Sequence, residues 1–229
     1  MLVMVGWVLK VAPVGVFALA IGVAAAGGGS GAFVTLGHYI VTVSALGLVV
    51  MLIAYLIAWL AGRVSLFAFA RAMIPAQVVA LSTQSSLASL PAMLVSARRL
   101  GVREETAEFV LPLAVAMLRS TGPAMNVAVA IYVAHLAGIE LGLLALASAF
   151  VIAPIISLGS VSLPGSISFV ISIGPIALAM GVPIEPLALL VAVEMLPDIM
   201  RTVGNVTMDV AVTTAVDRGR DLGEEPVQP

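Results

Sequence analysis

The stretch EMLPDIMRTVGNVTMD, residues 194–209, decides how the rest of the chain is interpreted. It lies inside an otherwise apolar run from about 184 to 216, long enough to cross a bilayer. Its polar side chains follow one another at intervals of 4, 3, 4 and 4 residues: Glu194, Asp198, Arg201, Asn205 and Asp209. At about 100° per residue they fall within an arc of roughly 80°. A single helix face therefore carries three carboxylates, one guanidinium and one amide at membrane depth.

Charged groups at this depth need a physical reason. Each costs about 2.5–3.5 kcal/mol at the centre of a membrane helix on insertion scales, so such groups rarely face lipid. One interpretation is a structural ion pair between Asp198 and Arg201 that holds helices together. Five polar groups on one face are more than a single pair needs. We therefore favour a solute and cation site in the protein interior.

The composition indicates a polytopic, all-α membrane protein. Of the 229 residues, 62% are hydrophobic and only 10% are charged, with a mean hydropathy of +1.20. Soluble domains have about 25% charged residues. The net charge of −2 gives no indication of nucleic-acid binding. The chain contains no cysteine, which excludes disulfides and thiolate metal sites.

The chain divides into full spans and interrupted segments. Two transmembrane helices are predicted within residues 1–62: Leu2–Ala26 and Tyr39–Ala61. A core of interrupted segments is predicted over 63–216, with a first hairpin at about 66–100, a broken helix at about 105–138, a second hairpin at about 141–180 and a last helix at about 184–216. The charged residues 217–229 predict a disordered cytoplasmic tail.

Two segments predict re-entrant helical hairpins. The uncharged, hydroxyl-rich segment 82–91 lies between apolar stretches that are each short for a full crossing. A hairpin whose polar tip is buried in protein fits this pattern, and an external loop between two tilted spans is the alternative. The Gly/Ser/Pro-rich segment 159–166 breaks a second apolar run in the same way.

A third interruption, Arg119-Ser-Thr-Gly-Pro123, predicts an unwound segment around Gly122 and Pro123. A simple proline kink is the alternative, but a guanidinium within a span needs a partner. An apolar span, a broken hairpin and a polar-interrupted span occur twice along the chain. Paired interruptions of this kind point to a transporter site near the bilayer midplane.

The basic residues predict the topology. Three loops, 27–31, 138–140 and 181–185, carry no Lys or Arg and are predicted to lie outside. The positive-inside rule then makes these residues cytoplasmic: Lys10, Arg63, Arg71, Arg98, Arg99, Arg103, Arg218 and Arg220. The rule does not distinguish a re-entrant hairpin from a two-span hairpin, since both return to the same side.

At these motifs the chain resembles the dicarboxylate/amino acid:cation symporters, the glutamate and aspartate transporter family. Four stretches carry the likeness: SSLASLP at 85–91 for the first hairpin tip, LPG at 163–165 for the second, DIMRTVGNVTMD at 198–209 for the last helix, and APVGVF at 12–17 for the fifth span. The likeness covers nearly the whole chain but only the C-terminal half of the family. We therefore expect either a fragment or a partner chain that supplies the first four spans.

The resemblance implies that residues 63–216 form a transport core, and that the two helices within 1–62 are one scaffold-like helix and one helix of the transport domain. It also implies a role for each matching residue. Arg201 would bind the side-chain carboxylate of the solute, Asp198 its ammonium group, and Asn205 its main-chain carboxylate next to a sodium ion. Asp209 would ligate sodium, and Glu194 stands where the family usually has an aspartate that supports the sodium region. The remaining residues placed at the substrate are Thr202, the serines Ser85 and Ser86, and the backbone gate Ser162–Gly165 with Pro164 and Gly165.

The chain departs from the family in the broken helix. The family has Asn-Met-Asp-Gly-Thr there, whereas this chain has Leu118-Arg-Ser-Thr-Gly122, and Gln84 stands where many members carry arginine. We hypothesise that Arg119 replaces one cation site by pairing with Asp209 or Glu194. Coupling would then use fewer sodium ions, or protons through Glu194.

The function that the resemblance implies is symport of acidic amino acids or C4 dicarboxylates, coupled to sodium or protons. The protein would be a multi-pass protein of the cell (inner) membrane, a homotrimer if complete, without enzymatic activity, organic cofactor or nucleic-acid partner. The alternative is a truncated, non-transporting subunit or a solute-binding membrane protein. An intramembrane hydrolase is not favoured, because His38 and His135 lie near span ends and are not arranged for catalysis.

Overall fold

The structure, a computed structural model, describes residues 30–159 and 166–223 and the isolated positions 14 and 21. The predicted span 2–26, the motif at 12–17 and the second hairpin tip at 162–165 lie outside the described residues. Within the described ranges the secondary structure is entirely helical, which confirms the predicted all-α class. The helices there are α1 Ser30–Leu60, α2 Leu66–Thr83, α3 Leu90–Arg99, α4 Glu104–Met117, α5 Thr121–Leu136, α6 Leu143–Gly159, α7 Ser166–Ala179, α8 Leu187–Val191 and α9 Met195–Gly223.

Helix α1 is apolar on every side. It contains no Asp, Glu, Lys or Arg, and large side chains such as Leu52, Leu56 and Trp59 are exposed on its outer face. A helix of this kind is stable when protein or lipid covers all its faces. Three segments of the described chain are long and apolar enough to cross a membrane: Phe33–Leu60, Leu66–Thr83 and Glu104–Leu136. The protein is therefore a multi-pass membrane protein.

Helices α2 and α3 form the hairpin predicted for residues 66–100. The Ser65 hydroxyl caps the start of α2 by accepting a hydrogen bond from the Ala68 amide at 3.3 Å. Gln84 ends the helix in a left-handed conformation with a φ of 50°. The chain then turns and α3 packs back against α2. The re-entrant position of the tip within a bilayer stays a prediction.

Helices α4 and α5 are the two halves of the predicted broken helix. The break lies at residues 118–120, just upstream of the predicted position at Gly122 and Pro123. Pro123 lies in the first turn of α5, where its missing N–H is not needed by the helix. Arg119 has a positive φ of 31°, which is uncommon for a residue other than glycine. The interruption is thus a break between two helices and not a proline kink.

The predicted last helix, 184–216, is itself divided into α8 and α9 by a turn at residues 192–194. The turn is held by long bonds of the i to i+3 type, such as Glu194 N to Val191 O at 3.4 Å. Pro197 explains the division, since it has no N–H for the Val193 carbonyl and its ring crowds that carbonyl.

Helix α9 continues to Gly223, beyond the predicted end at residue 216. The expected disorder from Asp217 onward is therefore not seen over 217–223. The physical reason is that Arg103 holds this end of α9: it donates to Asp217 Oδ1 at 2.9 Å and to the Asp217 carbonyl at 3.0 Å. Residues 224–229 lie outside the described residues.

Two apolar clusters place the site between them. One joins the end of α1 to α2, α3, α4 and α9, and includes the fully buried Phe69 and Leu111. The other joins the start of α1 to α5, α6, α7 and α8, and includes the fully buried Ile173 and Leu187. The two halves of the broken helix belong to different clusters. The break and the polar face of α9 consequently lie where the clusters meet.

Candidate functional site

Arg201 is the centre of a polar network inside the helix bundle. Its Nε lies 3.3 Å from Asp198 Oδ1, and its Nη2 donates to Glu194 Oε1 at 2.8 Å. Its Nη1 donates to Asn126 Oδ1 on α5 at 2.6 Å. The Arg201 side chain is only 13% exposed. All three guanidinium nitrogens therefore have acceptors from the chain, and this part of the polar face packs against other helices.

Glu194 is held from two directions. The Tyr39 hydroxyl on α1 donates to Glu194 Oε2 at 2.5 Å, while Arg201 donates to the other oxygen. Tyr39 is fully buried and packs edge-on against Tyr132, with ring centroids 5.3 Å apart. Because charge-assisted hydrogen bonds are stronger than neutral ones, this arrangement fixes the carboxylate firmly against the guanidinium.

Asn205 connects the last helix to the break. Its Oδ1 accepts hydrogen bonds from the Thr121 amide at 2.9 Å and from the Thr121 hydroxyl at 2.8 Å. The Thr121 hydroxyl is also within 3.0 Å of the Arg201 carbonyl. An amide oxygen has two lone pairs, and Thr121 uses both. The Nδ2 group is then the part of this side chain that suits a solute carboxylate.

Glycines allow the close approach that these bonds require. A Cβ on Gly204 would lie 2.6 Å from Thr121 Cγ2 and 3.2 Å from the Gly47 carbonyl. A Cβ on Gly47 would lie 3.0 Å from Met200 Cβ, and one on Gly122 would lie 2.5 Å from Ser157 Oγ. Small residues at these crossings bring α1, α9 and the start of α5 together.

Asp209 lies further along the same face and is only 1% exposed. Its Oδ1 has no hydrogen-bond partner among the described residues. A carboxylate buried in this way is costly unless a cation or proton compensates it. Its environment therefore fits the cation role that the resemblance implies, a role that stays a prediction. Within residues 30–159 and 166–223, no cluster of three His, Asp or Glu side chains could hold a metal ion.

Arg119 lies at the break within electrostatic reach of Asp198 and Arg201. The hypothesis that Arg119 pairs with Asp209 or Glu194 stays a prediction. Asp198 lies within electrostatic reach of two guanidinium groups, those of Arg119 and Arg201. Its side chain is 27% exposed, which makes it the most accessible acid of the network.

The remaining predicted residues lie in different surroundings. The Thr202 hydroxyl donates to the Asp198 carbonyl at 3.0 Å, within its own helix. Ser85 and Ser86 are half-buried in the hairpin tip. Ser85 stabilises that turn, because its hydroxyl accepts from the Ala88 amide at 3.2 Å and its carbonyl accepts from the Ser89 hydroxyl at 2.9 Å. Pro164 and Gly165 lie outside the described residues.

Three members of the network were missed from the sequence: Tyr39, Thr121 and Asn126. They are separated from their partners Glu194, Asn205 and Arg201 by 155, 84 and 75 positions. Asn126 offered a signal, since an amide in an apolar helix needs a partner for the same reason as Arg119. Tyr39 offered none, because a tyrosine at a span end is commonly explained by the membrane interface.

These features define a class of protein: a multi-pass helical membrane protein with an interior ion-pair network at a broken helix. The sodium:dicarboxylate symporter family matches residues 1–219, and the chain belongs to that family. This confirms the resemblance drawn from the motifs.

Individual relatives agree with the family. The chain is 32% identical over 204 residues to the proton/sodium-glutamate symport protein of Bacillus subtilis, covering 89% of this chain and 47% of that protein. It is 34% identical over 191 residues to excitatory amino acid transporter 3 of Oryctolagus cuniculus, covering 81% and 36%. It is 34% identical over 178 residues to excitatory amino acid transporter 2 of Homo sapiens, covering 76% and 30%. The chain spans less than half the length of these curated relatives.

Proposed function

We propose that this chain forms the solute-binding part of an ion-coupled symporter for acidic amino acids or C4 dicarboxylates in the cell membrane. The observation that carries the proposal is the Arg201 guanidinium, buried among acceptors at the junction of two helix clusters. A planar guanidinium binds carboxylates bidentately and is the group expected for an anionic solute.

The surrounding groups suit a solute that carries charges of both signs. Asp198 is the most accessible acid, and it lies one turn before Arg201 on the same helix. Asn205 presents its amide nitrogen on the same face. Together they offer a cationic, an anionic and a neutral hydrogen-bonding group, which supports an acidic amino acid as well as a diacid. The relatives named for glutamate support the same class.

Sodium is proposed as the co-transported ion, with protons as the alternative. The family name supports sodium, and the buried Asp209 carboxylate is the candidate ligand. Because Thr121 occupies Asn205 Oδ1, a sodium contact from the Asn205 side chain would require that bond to break. Homotrimer formation is proposed from the family resemblance alone.

Reconstitution of the full chain into liposomes tests the proposal. Uptake of radiolabelled L-glutamate, L-aspartate and succinate is measured under an inward sodium gradient, an inward proton gradient and neither. Gradient-dependent uptake of any of these acids supports symport. Saturable binding without uptake supports the alternative of a solute-binding subunit that needs a partner chain. Absence of both contradicts the proposed site.

A conservative variant connects the activity to the guanidinium. R201K keeps the positive charge but replaces the planar fork with a single ammonium group. We expect acid uptake or binding to weaken by at least about tenfold, with the fold retained. The exposed R99K is the matched control and should behave as the unchanged chain does. Equal affinities of R201K and R99K would show that the solute binds elsewhere.

A further inference from the structure

The guanidinium expected to bind the solute is already bound to the chain's own anions. Asp198 faces Nε at 3.3 Å, Glu194 accepts from Nη2 at 2.8 Å, and Asn126 accepts from Nη1 at 2.6 Å. A bidentate carboxylate needs two parallel N–H groups along one edge of the guanidinium. These acceptors engage at most three of the five N–H groups, so a solute carboxylate either shares the guanidinium with all three through the remaining two or displaces one of them.

Glu194 is the acceptor best placed to give way. Asp198 and Asn126 belong to regular helices, α9 and α5, whereas Glu194 lies in the turn between α8 and α9. Two backbone bonds of this turn are long: Glu194 N to Val191 O is 3.4 Å and Leu196 N to Val193 O is 3.3 Å. The Glu194 carbonyl accepts from Asp198 N at 2.9 Å, so the backbone of Glu194 is held by the start of α9 but only weakly from the α8 side.

Tyr39, on α1, restrains the Glu194 carboxylate. The Tyr39 hydroxyl donates a hydrogen bond of 2.5 Å to Glu194 Oε2, and this bond keeps the carboxylate oriented towards Arg201 although the Glu194 backbone lies in a turn. Glu194 lies seven positions before Arg201, roughly 10 Å along a helix axis.

We propose that Glu194 is an internal competitor of the solute: its carboxylate, positioned by Tyr39, occupies Arg201 when no solute is bound, and an acidic solute binds by displacing it. Glu194 then sets the affinity for anions and the preference for acidic over uncharged solutes. The inference rests on the proposed function, because it names the residue that tunes the same site.

Binding titrations with the full chain in detergent test the proposal. L-Glutamate and succinate serve as acidic probes, and L-glutamine, which differs from L-glutamate in having an uncharged side-chain amide, serves as the uncharged probe. E194Q removes the competing charge but keeps the shape, so affinity for both acids should rise on the order of tenfold while affinity for L-glutamine stays unchanged. Y39F keeps the charge but releases one end of the carboxylate, and should raise acid affinity by a smaller factor.

Matched variants separate competition from a structural role. E185Q makes the same charge change at an exposed loop position outside the network and should leave all affinities unchanged. E194D shortens the side chain by one methylene, so that it cannot hold Tyr39 and Arg201 together, and should behave like Y39F. A purely structural role of Glu194 would instead make E194Q, E194D and Y39F weaken the binding of acidic and uncharged probes alike.

The outcomes separate the two proposals. If the unchanged chain binds the acids and E194Q binds them equally or more weakly, the competitor proposal fails and the proposed function stands. If E194Q binds acids that the unchanged chain does not, both are supported. If neither the unchanged chain nor E194Q binds any acid, although both unfold cooperatively at the same temperature and are therefore folded, the proposed function fails and the competitor proposal fails with it.

Discussion

At the residue scale, the candidate site depends on contacts between side chains that are far apart in the chain. Thr121 on α5 donates two hydrogen bonds to Asn205 Oδ1 on α9, which holds the start of α5 against the last helix. Bonds of this length require the two helices to approach closely, and small residues at the crossing allow that approach.

Gly204 illustrates a residue whose role is visible only in three dimensions. A Cβ there would lie 2.6 Å from Thr121 Cγ2 and 3.2 Å from the Gly47 carbonyl. We expect G204A to force α9 away from the break and to lower the free energy of unfolding by about 1–3 kcal/mol, because overpacking strains a well-packed core. Solute affinity should fall as well, since the Thr121 bonds to Asn205 would lengthen.

The control for this prediction is Gly219 on the same helix. A Cβ there meets nothing within 4 Å, so G219A should be neutral or stabilising by roughly 0.5–1 kcal/mol. Thermal unfolding in detergent and acid binding report the two effects. If G204A proves as stable as G219A and binds acids normally, the close approach at Gly204 is not what forms the site.

The polar face of the last helix could be predicted from the sequence, because the helical period is fixed and the spacing of the polar residues determines a common face. The partners of that face could not be predicted in this way. Tyr39, Thr121 and Asn126 reach it from α1 and α5 through tertiary packing, which no local period encodes.

At the element scale, the helices were predicted well and their ends less well. The apolar runs predicted the all-α class, and within the described residues the polar interruptions lie where α2 ends before α3 and α4 ends before α5. The assignment of these segments to hairpins and to a transport core stays a prediction. The boundaries moved where proline chemistry or a distant contact decided them: Pro197 divides α8 from α9, and Arg103 extends α9 past residue 216. These helix ends depend on single hydrogen bonds, which cannot be predicted from hydropathy.

The contact between Arg103 and Asp217 leads to a prediction of how the free energy of unfolding depends on pH. Burial by itself would raise the pKa of Asp217, but the hydrogen bonds from Arg103 outweigh it and hold the pKa below its usual range. The folded state therefore prefers the charged carboxylate. Its contribution to stability is complete above the unfolded value of about 3.9 and is lost as the pH falls below that value through the lower, folded pKa.

We expect D217N to lower the free energy of unfolding at pH 7 by about 1–3 kcal/mol and to remove this part of the loss below pH 4. E104Q is the comparison, since Glu104 pairs with Arg98 on the surface, where both side chains are more than half exposed. Screening by solvent leaves such a pair worth about 0–1 kcal/mol. Denaturant unfolding in detergent at several pH values measures the free energy of unfolding of both variants. Equal losses in D217N and E104Q would show that the contact between Arg103 and Asp217 does not stabilise α9.

At the scale of the whole molecule, the two apolar clusters explain why the site needs all of these elements. Each half of the broken helix belongs to one cluster, and α1 and α9 contact both. The site thus lies where two packed bodies meet, at a break that supplies Thr121 and at a turn that supplies Glu194. The chain order of these elements was readable from the sequence, but their meeting point was not, because it depends on how the clusters stack.

The orientation of the molecule in the membrane gives the last prediction. The chain contains no natural cysteine, so a single introduced cysteine reports its own accessibility. Charge placement predicts that Glu105 faces the cytoplasm and Glu185 the outside, and both are exposed. We expect a membrane-impermeant maleimide to label E185C in intact cells and E105C only after permeabilisation.

A third cysteine at Ser86 distinguishes the two forms of the first hairpin. If α2 and α3 crossed the bilayer fully, the tip would be outside and S86C would be labelled in intact cells as rapidly as E185C. A re-entrant hairpin keeps its polar tip within protein, because unpaired backbone groups at membrane depth are tolerated only there. We therefore expect slow labelling of S86C from outside, and slower labelling still when a saturating acidic solute occupies the site. Rapid labelling that no solute changes would place the tip in an external loop, away from Arg201.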